Sequence, residues 1–155
     1  MISKFIHCIF FTLPVFILLA SCGSYDKFSN KATEEYSRTE MQKFAKYMIQ
    51  GKSLYTTYCS NCHQDNGEGL GKLYPPLKDS DYLIASISNT YCGIKNGISK
   101  EIVVNGVVYN QAMPANDQLT DLEIAEICTY IYNSWGLETG FIDVKEVSKG
   151  LNSCD

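Results

Sequence analysis

The chain has 155 residues, room for one compact domain with a leader and a linker, since single domains run to about 100–150 residues. Apolar residues make up 45% of it and charged residues 19%, a balance that excludes a disordered or fibrous chain. Against 13 basic side chains stand 17 acidic ones, for a net charge of −4, which argues against nucleic acid as a partner.

The opening run has one early positive charge, Lys4, then apolar residues from Phe5 to Ala20, then small residues before Cys22. This is the layout of a secretory signal. The run is interrupted by His7, Thr12 and Pro14 and is shorter than the roughly 20 residues that span a bilayer, so removal is expected rather than retention as a membrane helix. Leu19, Ala20, Ser21 and Cys22 resemble the lipobox of bacterial lipoproteins, which implies cleavage after residue 21 and acylation of Cys22. Two or three acyl chains hold a protein stably at a membrane, whereas one does so only marginally. Loss of residues 1–21 removes Lys4 and no acid, leaving 12 basic and 17 acidic side chains and a net charge of −5. Residues 22–39 are polar, without a sustained period, and read as a lipidated N-terminus and flexible tether.

Ser37 and Glu40 form a capping-box pattern, and Met41, Phe44, Ala45, Met48 and Tyr55 follow at helical spacing, predicting a helix from about Thr39 to Tyr58. The stretch after His63 is dense in glycine and proline and reads as loop; no apolar strand precedes Gly67, Gly69 and Gly71, so they are not a phosphate-binding turn. A second helix fits Ser80 to about Cys92 through Tyr82, Leu83, Ile84 and Ile87. Between β-branched runs, Asn105 and Gly106 predict a two-stranded hairpin over Ile102–Tyr109, because a type I′ turn needs positive φ at both central residues. Thr120 and Glu123 make another capping box, opening a helix that runs to about Trp135 and Gly136. A short last helix from Asp143 would align Val144, Val147, Leu151 and Cys154 on one face.

Residues 59–63 read Cys-Ser-Asn-Cys-His, the c-type haem attachment pattern. Two residues between the cysteines let both sulfurs reach the vinyl groups of one haem while His63 faces the iron. A structural zinc site needs four ligands, and the only other histidine, His7, lies in the leader. A thioredoxin-like pair would want a βαβ context, but here a helix precedes the motif and a glycine-rich loop follows it. For the sixth position of an iron the mature chain offers Met41, Met48 and Met113. The first two lie on the apolar face of the first helix and read as core; Met113 sits in a loop before Pro114, which restrains the backbone ahead of it.

Together the first helix with Gly51 and Tyr55, the haem motif, the segment Tyr74-Pro75-Pro76-Leu77, the Met113-Pro114 loop and the capped last helix resemble a class I monohaem cytochrome c domain. The resemblance implies a mainly α fold, three to five helices around one haem with a small hairpin. It implies a domain over residues 40–136 and a C-terminal extension over 137–155. It makes Cys59 and Cys62 the thioether attachments, His63 the proximal ligand and Met113 the distal ligand. It makes the carbonyl of Pro76, or of Pro75, the acceptor of the imidazole proton, and sets Gly51 and Tyr55 against Ile127 and Tyr130 where two helices cross.

In an oxidising compartment Cys92, Cys128 and Cys154 cannot all pair within one chain; a Cys92–Cys154 disulfide would dock the last helix, with Cys92–Cys128 as its competitor. The implied function is single-electron transfer between protein donor and acceptor by a non-enzymatic carrier in the bacterial cell envelope, lipid-anchored and facing the periplasm or exterior. The alternatives are the haem subunit of a larger oxidoreductase, or a peroxidase-like or gas-binding protein if Met113 leaves the iron.

Overall fold

The computed structural model describes residues 26–154; the export segment and Cys22 lie outside the described residues. Six helices and one hairpin follow in order: α1 (Arg38–Tyr58), α2 (Ser60–His63), α3 (Asp81–Ala85), α4 (Ile87–Asn96), β1 (Ile102–Val104), β2 (Val107–Tyr109), α5 (Asp121–Ile131) and α6 (Val144–Leu151). The fold is mainly helical with a small antiparallel sheet, as the resemblance implies. No helix among the described residues is long and apolar enough to cross a membrane.

Reciprocal caps open the two principal helices. In α1 the Ser37 hydroxyl accepts from the Glu40 amide, and the Glu40 carboxylate accepts from the Ser37 amide at 2.8 Å. Thr120 and Glu123 repeat the arrangement at α5. These donated bonds satisfy amides that a helix start otherwise leaves unpaired, and they hold both carboxyls below the ordinary range.

The two helices cross where α1 carries Gly51. A methyl group there would run into the Glu126 carbonyl and come within 2.8 Å of the Tyr130 Cβ. Missing that methyl, the backbones approach directly, and Tyr47 and Tyr55 of α1 join Ile124, Ala125, Ile127, Cys128 and Ile131 of α5 in one buried core, with Phe44, Ala45 and Met48 of α1 also buried. Each large side chain so buried contributes about 1.5–3 kcal/mol.

Several elements depart from the sequence reading. The expected helix over 80–92 is two helices. Ser86 is extended (φ −160°, ψ 112°), and its hydroxyl accepts from the Asn89 amide to start α4, which runs on to Asn96. Serine competes with the backbone for such bonds, so apolar spacing alone does not register the break. Helix α5 stops at Ile131, after which the chain turns through Trp135 at φ 53° and Gly136 at φ 98°.

The stretch expected to be tether is bonded onto the domain from Asn30 onward. Asn30 caps a 3-10 turn at Lys31–Thr33 and donates to the Asn133 side chain at 2.9 Å. Thr33 is buried, and the Tyr36 hydroxyl accepts from the Phe141 amide at 2.9 Å while its ring meets Phe44 edge-on. The polar attachments among these join residues more than 100 positions apart, which hydrophobic periodicity cannot reveal.

The hairpin pairs Ile102 with Tyr109, Val103 with Val108 and Val104 with Val107, and Asn105 and Gly106 both have positive φ. Its turn is fastened to α3: the Asp81 amide donates to the Asn105 side chain at 3.0 Å, and the Asn105 amide to the Asp81 carboxylate at 2.7 Å. Beyond α5, Ile142 and Val147 are fully buried, so the C-terminal extension belongs to the same core. Cys92 of α4 and Cys154 after α6 form a disulfide, their Cα atoms 5.6 Å apart, and Cys128 is a free, fully buried thiol on α5.

Substituting Gly51→Ala is expected to destabilise the protein by about 1–3 kcal/mol through overpacking, despite the better helix propensity of alanine. Guanidinium denaturation of the haem-loaded protein measures it; a midpoint at or above that of the parent would mean that the helices are not in backbone contact there.

Candidate functional site

The end of α1 delivers the motif. Cys59 is the last capping position of α1, its amide donating to the Tyr55 carbonyl at 2.8 Å, and the chain coils at once into α2. Within that turn the Cys62 and His63 amides both donate to the Cys59 carbonyl, at 3.1 and 2.9 Å. The Tyr55 hydroxyl donates to the carbonyl of Gln64 at 2.6 Å, fixing the chain just past the motif. Tyr55 is itself held between Tyr130 and Trp135, with ring centroids 5.4 and 5.5 Å away.

The His63 imidazole bonds through Nδ1 to the carbonyl of Pro75 at 2.9 Å. A carbonyl only accepts, so Nδ1 carries the proton and Nε2 is left with its lone pair. This corrects the expectation for Pro76: the acceptor is Pro75, and Pro76 instead lines the cleft. Burial lowers the imidazole's pKa and outweighs the opposing Pro75 bond, which keeps the ring neutral as a metal ligand requires. Burial, with Cys62 adding to it, pushes the Cys59 thiol up to about 12.

Cys59, Cys62, His63 and Met113 line one cleft, together with Tyr55, Ile94, Ile127 and Ile131 of the core. About 1110 Å³ of space free of protein atoms lies within it and at its mouth. Met113 is fixed there by a two-way backbone pair: the Ile98 amide donates to the Met113 carbonyl and the Met113 amide to the Ile98 carbonyl, each at 2.9 Å. Met48 is buried and Met41 half-buried on α1, and neither lines this cleft.

Among the described residues no three His, Cys, Asp or Glu side chains gather to hold a metal ion by themselves. The chemistry of the donors therefore fits iron that brings its own ring of ligands: two thiols placed for covalent attachment, a neutral imidazole and a thioether in an apolar cleft. Haem is such a group.

The sequence reading missed Gly69. It lies at φ 66°, its amide donates to the His63 carbonyl at 3.0 Å, and a Cβ there would sit 2.6 Å from the Pro75 oxygen that holds the imidazole, with the Tyr74 carbonyl closer still. Its place in a glycine-rich loop conceals that role. Gly69→Ala is expected to cost about 1–3 kcal/mol in stability and to speed exchange of the His63 Nδ1 proton. Proton NMR of the ferrous protein with a parallel denaturation series checks both, and unchanged exchange would mean that the loop absorbs the methyl group elsewhere.

Comparison with known proteins agrees with this geometry. The Cytochrome c family model matches residues 48–135. Cytochrome c-552 of Thermus thermophilus is 33% identical over 90 residues, covering 56% of this chain and 68% of that protein. A second cytochrome c-552 from the same species matches at 33% over 90 residues, covering 60% of its length. The cytochrome c subunit of the alcohol dehydrogenase (quinone) of Gluconobacter oxydans is 24% identical over 103 residues, 64% of this chain but only 21% of that subunit. With the family match running from the middle of α1 past the end of α5, and so across the whole cleft, the chain belongs to the cytochrome c family, whose members carry covalently attached haem c.

Proposed function

We propose that this chain is a one-electron carrier whose haem iron is bound by His63 and Met113, and that it works at the outer side of a bacterial membrane, anchored through lipid on Cys22. Electron transfer is the property of the family; the ligand pair, the anchor and the carrier role are the further reading. The observation that carries it is the pairing of two restrained donors in one cleft, an imidazole tied through Nδ1 to Pro75 and a thioether loop tied on both sides of the peptide to Ile98.

When bound, the haem would supply a one-electron couple, with His63 and Met113 as the side chains that would hold its iron. The chain's own residues do the rest. Cys59 and Cys62 would hold the group by two thioether bonds, so that neither cofactor nor ligand is lost on cycling. His63 presents a neutral nitrogen in a fixed orientation, and its Pro75 bond raises the ring's basicity. Met113 offers a soft sulfur that favours ferrous iron over what a second imidazole would give. Ile94, Ile127 and Ile131 exclude water, which disfavours the extra charge of the ferric state. Because these groups are held by backbone bonds and core packing, they move little between oxidation states, as rapid electron exchange requires.

A second reading, that the domain serves as the haem subunit of a larger oxidoreductase, is favoured by the likeness to the Gluconobacter dehydrogenase subunit. Co-purification after mild detergent extraction separates the two: a partner enzyme retained in stoichiometric amount assigns the chain to a complex.

Met113→Ala is expected to keep haem covalently bound, lower the reduction potential and let the ferrous protein bind carbon monoxide at neutral pH. An unchanged spectrum and potential would remove Met113 from the iron, and ready carbon monoxide binding by the parent protein would favour a gas-binding or peroxidase-like role. Cys22→Ala is expected to abolish labelling by a radioactive fatty acid and to release the protein from membranes; persistent labelling would overturn the anchor.

A further inference from the structure

The loop that carries Met113 runs on without regular structure to the cap of α5 at Thr120. Its near end is pinned by the Ile98 pair. Its far end is pinned differently. In the last turn of α4, Lys95 reaches across the loop and its ammonium donates to the Asp117 carbonyl at 2.7 Å and to the Leu119 carbonyl at 2.8 Å. Beside it the Asn116 amide donates to the Ile94 carbonyl at 3.0 Å.

We propose that Lys95 is a positioning residue for Met113, a charged clamp that closes the ligand loop onto α4 and so sets how firmly the thioether is held in the cleft. This rests on the reading of Met113 as an iron ligand.

Three observations support the clamp over an ordinary surface lysine. A lysine near a helix C-terminus is commonly explained by attraction to that helix's own terminal carbonyls, but both acceptors here belong to the loop. Among the described residues the carboxylate ion pairs are Lys43–Asp143 and Lys78–Glu68, so Lys95 is not engaged in a competing salt bridge. Its position is also shared with the cleft: Ile94, the residue before it, lines the cleft, and Gly97, two residues on, packs against the Met113 carbonyl at φ 75° where a Cβ would lie 2.6 Å from that oxygen. One short segment of α4 therefore touches the iron site, the ligand's own peptide and the far end of its loop.

Lysine suits this position for a physical reason. An ammonium has three donors and can close on two carbonyls at once, and its charge makes each bond roughly twice as strong as a neutral one.

The test compares Lys95→Met, which keeps the aliphatic stem but no donor, with Lys95→Arg, which keeps charge and donors, and with Met113→Ala, all as haem-loaded full chains. Lys95→Met is expected to retain covalent haem, to shift the reduction potential toward that of Met113→Ala, and to raise carbon monoxide binding by the ferrous form about tenfold or more, the factor that loss of even one of its two charge-assisted bonds supplies. Lys95→Arg is expected to restore the parent values. If Lys95→Met lowers the melting temperature but leaves potential and carbon monoxide binding as in the parent, Lys95 serves stability alone and the proposal fails. Should Lys95→Met not fold, Lys95→Gln, shorter and uncharged, is read by the same two measurements. If Met113→Ala itself changes neither quantity, the ligand assignment falls; if it changes both while Lys95→Met changes neither, only the clamp falls.

Discussion

The contact between α1 and α5 at Gly51 sets the geometry on which the site depends. Helix α1 is 21 residues long, and the motif begins at its final cap, so the tilt and height of α1 against α5 decide where Cys59, Cys62 and His63 emerge. On the other side of the crossing, α5 supplies Ile127 and Ile131 to the wall of the cleft that those residues enter. Because the peptide backbones touch, with the Glu126 carbonyl where a side chain of residue 51 would be, the approach has little freedom to slide. Reciprocal caps at Ser37 and Thr120 fix where each helix begins, and hence which residue of each reaches the crossing.

From that frame the site is closed chiefly by backbone groups. Tyr55 secures the Gln64 carbonyl, Pro75 receives the imidazole proton, Gly69 binds the His63 carbonyl and leaves room for Pro75, and Ile98 pairs with Met113. Such bonds define position without adding a formal charge of their own to the cleft. The same choice explains the electrostatics of the cleft: burial drives both the His63 imidazole and the Cys59 thiol toward their neutral forms. A largely apolar cleft in which both groups are neutral favours the less charged oxidation state of the bound group.

Much of this was legible in the sequence because it is written in local patterns. The two capping boxes, the Asn105-Gly106 turn and the Cys-x-x-Cys-His spacing each depend on residues within a few positions of one another, and each has one dominant physical meaning. What was not legible depends on distant partners. Nothing about Tyr36 or Asn30 announces bonds to residues 141 and 133, and so the N-terminal stretch read as tether although it is folded onto the domain. The break at Ser86 turned on whether a serine hydroxyl bonds forward to a cap or faces solvent, which apolar spacing does not distinguish. Between Pro75 and Pro76 the choice was a matter of which of two adjacent carbonyls turns inward, and only the loop closed by Gly69 decides it.

The C-terminal extension is better understood as a brace for the Met113 side of the cleft than as an appendage. Helix α6 buries Val147, sets Gly150 against the ring of Tyr91 and hydrogen-bonds through Ser148 to Asp121 at the start of α5. The Cys92–Cys154 disulfide then joins its end to α4 across a sequence separation of 62, a closure that in the chain-entropy account contributes about 4 kcal/mol. Helix α4 is only ten residues long, too short to be stable by itself, yet it carries Ile94 in the cleft wall and leads directly into the Gly97–Ile98 segment that holds Met113. The His63 side needs no such support, since Cys59–His63 continue directly from a 21-residue helix packed along α5. The Met113 side has no long helix behind it, and α6 with its disulfide supplies from outside the packing that α4 cannot generate from its own length.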